Sequence, residues 1–152
     1  MLAPAGNAAA ALAAFDAGAD AVYAGLVKFN ARERSENFDA DTLGRVIEYA
    51  HQLGRQVYVT LNTVIKEQEL GEVVRYLSQL AGLNPDAVIV QDLGVVRLLR
   101  EYFPQLGIHA STQMGIHNSA GLAMAQRLGV SRVIVERQVT LDELALIAPK
   151  SP

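Results

Sequence analysis

Ile108-His109-Ala110-Ser111-Thr112-Gln113 runs directly into Met114-Gly115-Ile116-His117-Asn118-Ser119. The first half alternates as a strand does. Ile108, Ala110 and Thr112 fall on one face, and His109, Ser111 and Gln113 on the other. A strand buried between two layers of helices is apolar on both faces. This one carries a polar stripe and opens into a loop with further polar groups before the next helix.

The same pattern recurs along the chain. Val57, Val59 and Leu61 alternate with Tyr58, Thr60 and Asn62. Ala87-Val88-Ile89-Val90 ends in Gln91-Asp92, and Val133-Ile134-Val135 ends in Glu136-Arg137. Each apolar run finishes, on its C-terminal side, in groups that hydrogen-bond. Strand C-termini are where parallel α/β folds bind ligands, so the pattern locates a site before it says what the site does.

Between these runs lie amphipathic helices. Asn7 caps a helix through Phe15, and Gly18 leads into a strand over 19–25. A polar loop, Lys28 to Phe38, contains Arg32 and Arg34 interleaved with acids. Helices then follow from Asp39 or Asp41 to Gly54, from Leu70 to about Gly82, and from Leu93 to Phe103 before Pro104. A helix capped by Asn118 or Ser119 ends at Gly129, and a strand over 132–136 comes next. The last helix, over 140–148, opens on the capping box Thr140-Leu141-Asp142-Glu143. Strand–helix alternation about six times over predicts a parallel sheet. With one strand face apolar and Tyr58, Thr60, Asn62, His109, Ser111, Gln113 and Glu136 on the other, the expected architecture is a partial TIM-type (β/α) barrel. A full barrel takes about 250 residues; these 152 form a single domain over 1–152 that accounts for part of one.

Composition narrows the classes. The formal net charge is −3, so nucleic-acid binding would rest on a local patch rather than a global basic field. No apolar run reaches the roughly 20 residues of a membrane span. Cysteine is absent, which excludes disulfides, thiol nucleophiles and cysteine-held clusters within this chain and fits a reducing, cytoplasmic setting.

Several side chains are candidates for chemistry. His109 suits a general base or metal ligand with Glu136 or Gln113 nearby; the alternative is a lumen histidine satisfied by Ser111 or a neighbouring strand. His109 and His117 lack the spacing of a helical zinc pair, and no metal site is expected. Ser111 with His109 and Asp92 invites comparison with a serine-protease triad, but no Gly-x-Ser-x-Gly elbow is present. Asn62, Gln91, Asp92 and Ser111 read as substrate-binding groups at strand ends, as do Thr112, Gln113, Asn118 and Arg137. Arg32 and Arg34 suit a phosphate or RNA backbone, against the alternative of a solvated, self-paired loop.

A set of segments adds a resemblance. Leu2-Ala3-Pro4-Ala5-Gly6-Asn7, Gly18-Ala19-Asp20-Ala21-Val22-Tyr23, Arg32 through Arg34 with Asn37-Phe38, and Val59-Thr60-Leu61-Asn62-Thr63 appear in order. Val90-Gln91-Asp92-Leu93-Gly94, His109-Ala110-Ser111-Thr112-Gln113 with Asn118, and Arg132-Val133-Ile134-Val135-Glu136-Arg137 follow. In order and spacing they resemble the N-terminal barrel region of the collagenase-like peptidases of family U-thirty-two. The resemblance implies a peptidase, with substrate-pocket residues at strand ends. The alternative it implies, through other members, is hydroxylation of tRNA or rRNA bases or of ubiquinone precursors with an iron–sulfur cluster in the full-length protein. The family's cysteine-bearing signature lies downstream of this region, so no cofactor is expected within this chain, and this segment alone is expected to be inactive. A non-catalytic binding or assembly module is the remaining alternative. The partners expected are a peptide, RNA or quinone-precursor substrate, and a second copy of the chain, because a partial barrel exposes its edge strands.

Overall fold

The computed structural model describes residues 1–31 and 37–148. Six parallel strands alternate with six helices: β1 (Leu2–Pro4), α1 (Ala8–Asp16), β2 (Ala21–Gly25), α2 (Ala40–Gln52), β3 (Gln56–Leu61), α3 (Leu70–Leu83), β4 (Ala87–Val90), α4 (Leu93–Tyr102), β5 (Gly107–Ala110), α5 (Ser119–Arg127), β6 (Arg132–Val133) and α6 (Leu141–Ile147). The sheet order is β1-β2-β3-β4-β5-β6, each strand beside its predecessor in sequence. That order, curling with helices outside, is half of a parallel (β/α) barrel.

The alternation seen in the sequence divides the sheet into two faces with different work. Val22, Val57, Val59, Val88, Val90 and Ile108 point toward the helices and are at most 4% exposed. They pack with Phe15, Leu43, Ile47, Leu77, Leu80 and Leu99 in one large core. The other face carries a much smaller cluster of Ala21, Tyr58, Ala87 and Ile89, against which Tyr23 and Ile134 pack. Thr60 and His109 are buried on this inner face too. Fully burying a side chain such as Val or Leu contributes about 1.5–3 kcal/mol, so the helix-facing core supplies most of the stability.

Side-chain caps start the helices. Asn7, Asp39, Asp92, Asn118 and Thr140 each accept a hydrogen bond from a first-turn amide. Gly18, Gly54 and Gly129 take positive φ where α1, α2 and α5 turn back into strands. Helix α3 runs past Gly82 and closes instead on Asn84, which adopts the left-handed conformation.

Two strand boundaries differ from expectation for one shared reason. Strand β5 stops at Ala110, because the Ser111 hydroxyl accepts from the Gln113 amide and starts a 3-10 turn over Thr112–Met114. Alternation therefore ends before Thr112, which faces the same cavity as Gln113 rather than the helix side. With β5 ended, β6 loses its ladder partner: beyond Val133 only the Ile134 amide still reaches Ala110 O, at 3.0 Å. The expected strand over 132–136 is thus a two-residue strand, and the Glu136 amide bonds to Ile116 O at 3.2 Å instead. Among the described residues, no helix is long and apolar enough to cross a membrane.

Candidate functional site

At the C-terminal ends of the strands the inner face opens into a cavity of about 350 Å³, within the usual range for small-molecule pockets. Its apolar floor is Tyr23, Ile89 and Ile134. Its polar walls come from the turns after three strands: Asn30 and Asn37 after β2, Asn62 after β3, and Ser111, Thr112 and Gln113 after β5. Arg137 supplies an exposed cation beside them.

The walls are held by one another. The side-chain oxygen Oδ1 of Asn62 accepts from the Ala31 amide at 3.1 Å, tying the β3 turn to the β2 loop. Asn30 Nδ2 donates to Asn37 Oδ1 at 2.6 Å, closing that loop on itself. Thr60 donates to Ala24 O at 3.2 Å across the inner face. Asn30 sits directly over Gly25, where a Cβ would meet Asn30 Nδ2 at 2.0 Å and Thr60 Oγ1 at 2.9 Å. Only a residue without a side chain lets the loop descend that far.

His109 lies deeper in the inner face. It is 7% exposed, and its ring meets Tyr58 edge-on with centroids 4.6 Å apart. Ala87, level with Tyr58 on the strand between, leaves room for that contact. Among the described residues, Nδ1 of His109 has no hydrogen-bond partner. Burial, with the Arg132 cation adding to it and Asp86 opposing, pushes the imidazole pKa down to about 4. Below it the floor is braced: Arg132 donates to the Tyr58 hydroxyl at 2.9 Å, and Tyr58 donates to Gln56 at 2.8 Å. His109 is therefore a neutral lumen histidine packed on Tyr58; Ser111 does not satisfy it.

The remaining sequence candidates distribute as follows. Gln91, Asp92 and Asn118 line a second, adjacent hollow of about 620 Å³, which Gln113 also borders. Asp92 spends its two oxygens on backbone amides, Val95 at 3.1 Å and Ile65 at 3.1 Å, and Asn118 caps α5 through the Gly121 amide. Glu136 borders neither hollow; its carboxylate accepts from the Arg137 amide at 2.9 Å. Arg32 and Arg34 lie outside the described residues. Ser111, His109 and Asp92 do not assemble as a triad: the serine oxygen accepts from a backbone amide and both aspartate oxygens cap or tether turns. Asn30, Tyr23 and Ile134 do not stand out in the sequence as site residues. The position of Asn30 in a polar loop just after a strand is the one signal that points to it.

A parallel half-barrel with a polar, strand-end cavity is part of a (β/α)-barrel protein, a fold whose sites lie at the strand C-termini. Residues 6–152 match the model of Peptidase family U32, and the chain belongs to that family. It is 37% identical to tRNA hydroxylation protein P of Escherichia coli, over 100% of this chain and 34% of that protein. It is 35% identical to the 23S rRNA 5-hydroxycytidine C2501 synthase of the same organism, over 97% of this chain and 22% of that one. A protein named collagenase from Porphyromonas gingivalis is 29% identical over 97% of this chain and 35% of its own length. The chain thus spans about a third or less of these relatives. The solved U32 peptidase Mk0906 shares the fold with a TM-score of 0.76 at 13% identity, covering 99% of this chain and 64% of that one.

Proposed function

We propose that this chain is the barrel segment of an RNA-hydroxylation protein and that its strand-end cavity receives the nucleobase to be modified. The observation that carries this is the chemistry of the cavity walls. Asn62 and Gln113, beside the mutually bonded Asn30 and Asn37, present neutral side-chain amides, the group type that reads a base edge. Tyr23, Ile89 and Ile134 give the flat apolar contact that an unstacked base needs. Arg137 suits the phosphate of the same nucleotide. The relatives named for tRNA and rRNA hydroxylation support the reading.

The role of these residues is to bind the base, orient it and exclude water from around it. An iron–sulfur cluster, which hydroxylating relatives imply, does not fit the residues present. Such clusters are held by thiolates; the chain has no cysteine, and the described residues contain no group of three or more His, Cys, Asp or Glu able to hold a metal ion. A cluster in the full-length protein would take its ligands from other residues. Peptide hydrolysis has the family's name and the collagenase-named relative in its favour. The described site gives it no nucleophile–base pair, since Ser111 is engaged by Gln113 and His109 Nδ1 has no partner there.

The setting proposed is cytoplasmic, where the RNA substrates are. A homo-oligomer is part of the same proposal, because β1 and β6 are edge strands that each pair on one side. Light scattering tests it, and a stable monomer at micromolar concentration would exclude it.

Mass spectrometry of RNA nucleosides tests the function. Cells lacking the full-length protein are complemented with it, or with its Asn62→Ala or Gln113→Ala variant. The native protein should restore a hydroxylated pyrimidine, and each variant should lower its yield about tenfold or more at equal protein level, as expected when a buried polar contact to substrate is lost. Full restoration by both variants would remove the cavity from the reaction. Loss of the gene without any change in nucleosides, but with loss of a ubiquinone precursor's hydroxylation or of gelatin cleavage, would move the function to that substrate.

A further inference from the structure

The second hollow is not absorbed by binding a single base. It lies beside the first, between the turn that follows β4 and the turn that follows β5. We propose that it is a subsite for the nucleotide adjacent to the one held in the first cavity. This rests on the RNA reading above and adds to it a contact that selects sequence context.

Continuity is the first argument. The 3-10 turn over Thr112–Met114 points successive residues in two directions: Thr112 lines the first cavity, Met114 the second, and Gln113 both. The two spaces therefore share Gln113 on their border, as subsites for successive units of one polymer would. A ligand long enough to fill both is a polymer of flat units joined by short links, which describes an RNA loop with its bases turned outward.

The lining is the second argument. Val64, Leu93 and Met124 are 67%, 62% and 56% exposed, an unusual concentration of large apolar side chains around one opening. They offer surface for the face of a base. His117 stands at the same opening, its ring steadied by a 2.9 Å contact between Nδ1 and Gly115 O. That contact fixes the ring beside the hollow, where the imidazole face suits stacking.

Charge is the third. Among the described residues, Asp92 is the one acid in this lining, and both of its oxygens accept backbone amides. That carboxylate is held by the amides that open α4 and follow β3. A peptide is favoured less: Asp92 and Asn118, which would serve its backbone, are already committed to capping. Gln91, Gln113 and His117 also line the hollow, three side chains suited to a base edge.

The test uses the full-length protein and fluorescence anisotropy with a synthetic hairpin of the tRNA segment that carries the hydroxylated nucleotide. A second hairpin is abasic at the neighbouring nucleotide, on either side in turn. One of the two abasic hairpins should bind about tenfold more weakly than the complete one, the usual scale for loss of one stacked base. Met124→Glu and, independently, Leu93→Glu should weaken the complete hairpin by a similar factor and make it insensitive to the abasic change. Both positions are exposed, so the variants should fold, which circular dichroism checks. If both abasic hairpins and both variants bind like the native pair while Asn62→Ala still weakens binding, the subsite is wrong and the RNA reading stands. The subsite is equally overturned if Met124→Glu releases a protein partner and leaves RNA affinity unchanged. Failure of every hairpin to bind would overturn the RNA reading and the subsite with it.

Discussion

The side chain of Asn30 occupies the space that a side chain at Gly25 would need: a Cβ built there stands 2.0 Å from Asn30 Nδ2 and 2.6 Å from its Cγ. The end of β2 and the loop after it are thereby locked into one piece. Gly25→Ala should push Asn30 off its contact with Asn37 and open the cavity wall. Overpacking of this kind costs about 1–3 kcal/mol. Urea unfolding should show a loss in that range, and RNA binding should fall further than stability alone explains. Unchanged affinity would mean that Asn30 does not shape the ligand space.

His109 predicts a pH dependence. Its folded pKa, about 4, lies below the ordinary value of 6.5 because the ring is buried beside Arg132. The unfolded chain therefore takes up a proton that the folded chain refuses. Stability should fall as pH drops from about 6.5 towards 4, and this contribution should level off below that. His109→Phe keeps an aromatic edge against Tyr58 and removes the titration. Denaturant midpoints measured across the window should decline less steeply in the variant, and a parallel decline would assign the effect to other groups.

Tyr76 carries a hydroxyl with no partner among the described residues, in a side chain that is almost wholly buried. Burial raises its pKa well above the ordinary tyrosine value, so it stays protonated. Its ring packs edge-on to Phe29, centroids 5.6 Å apart, on the loop that walls the cavity. Tyr76→Phe keeps that packing and removes an unsatisfied buried group, whose cost is about 1–3 kcal/mol. The thermal midpoint should stay level or rise, and a clear drop would reveal a partner for the hydroxyl.

Asp92 joins two turns, accepting the Val95 amide at the start of α4 and the Ile65 amide after β3. Asp92→Ala loses both acceptors and should destabilise by more than a single cap, which is typically worth about 1 kcal/mol. Asp92→Asn keeps one carbonyl oxygen and should fall between. Equal stability of Asp92→Ala and the native chain, measured in urea, would show that water replaces both bonds.

Much of this fold is legible in alternation alone, because β2, β3 and β5 separate helix-facing aliphatic residues from tyrosine, threonine and histidine, while β4 is apolar on both faces. The end of β5 is not. Ser111 looks like one more strand residue in sequence, and only its hydroxyl's bond to the Gln113 amide turns the chain there. The polar residues after strands are ambiguous for a different reason. Asp92 and Asn118 have the look of ligand groups, yet the side chains that cap a helix are the same types that bind ligands, and both positions open helices. Asn62 and Gln113 follow strands in the same way and do line the cavity. Asn30 hides among loop polar residues because its importance depends on Gly25, whose role appears only when the loop is seen to descend on it.

The division of the sheet into a helix-facing core and a lightly packed inner face bears on how such a chain diverges. Val57, Val59 and Leu61 answer to the helices, whereas Tyr58, Thr60 and Asn62 answer to the lumen and whatever enters it. Selection can therefore act on alternate letters of the same strand almost independently. Lumen contacts at Thr60 and Asn62 can change while Val57, Val59 and Leu61 go on serving the helix-facing core.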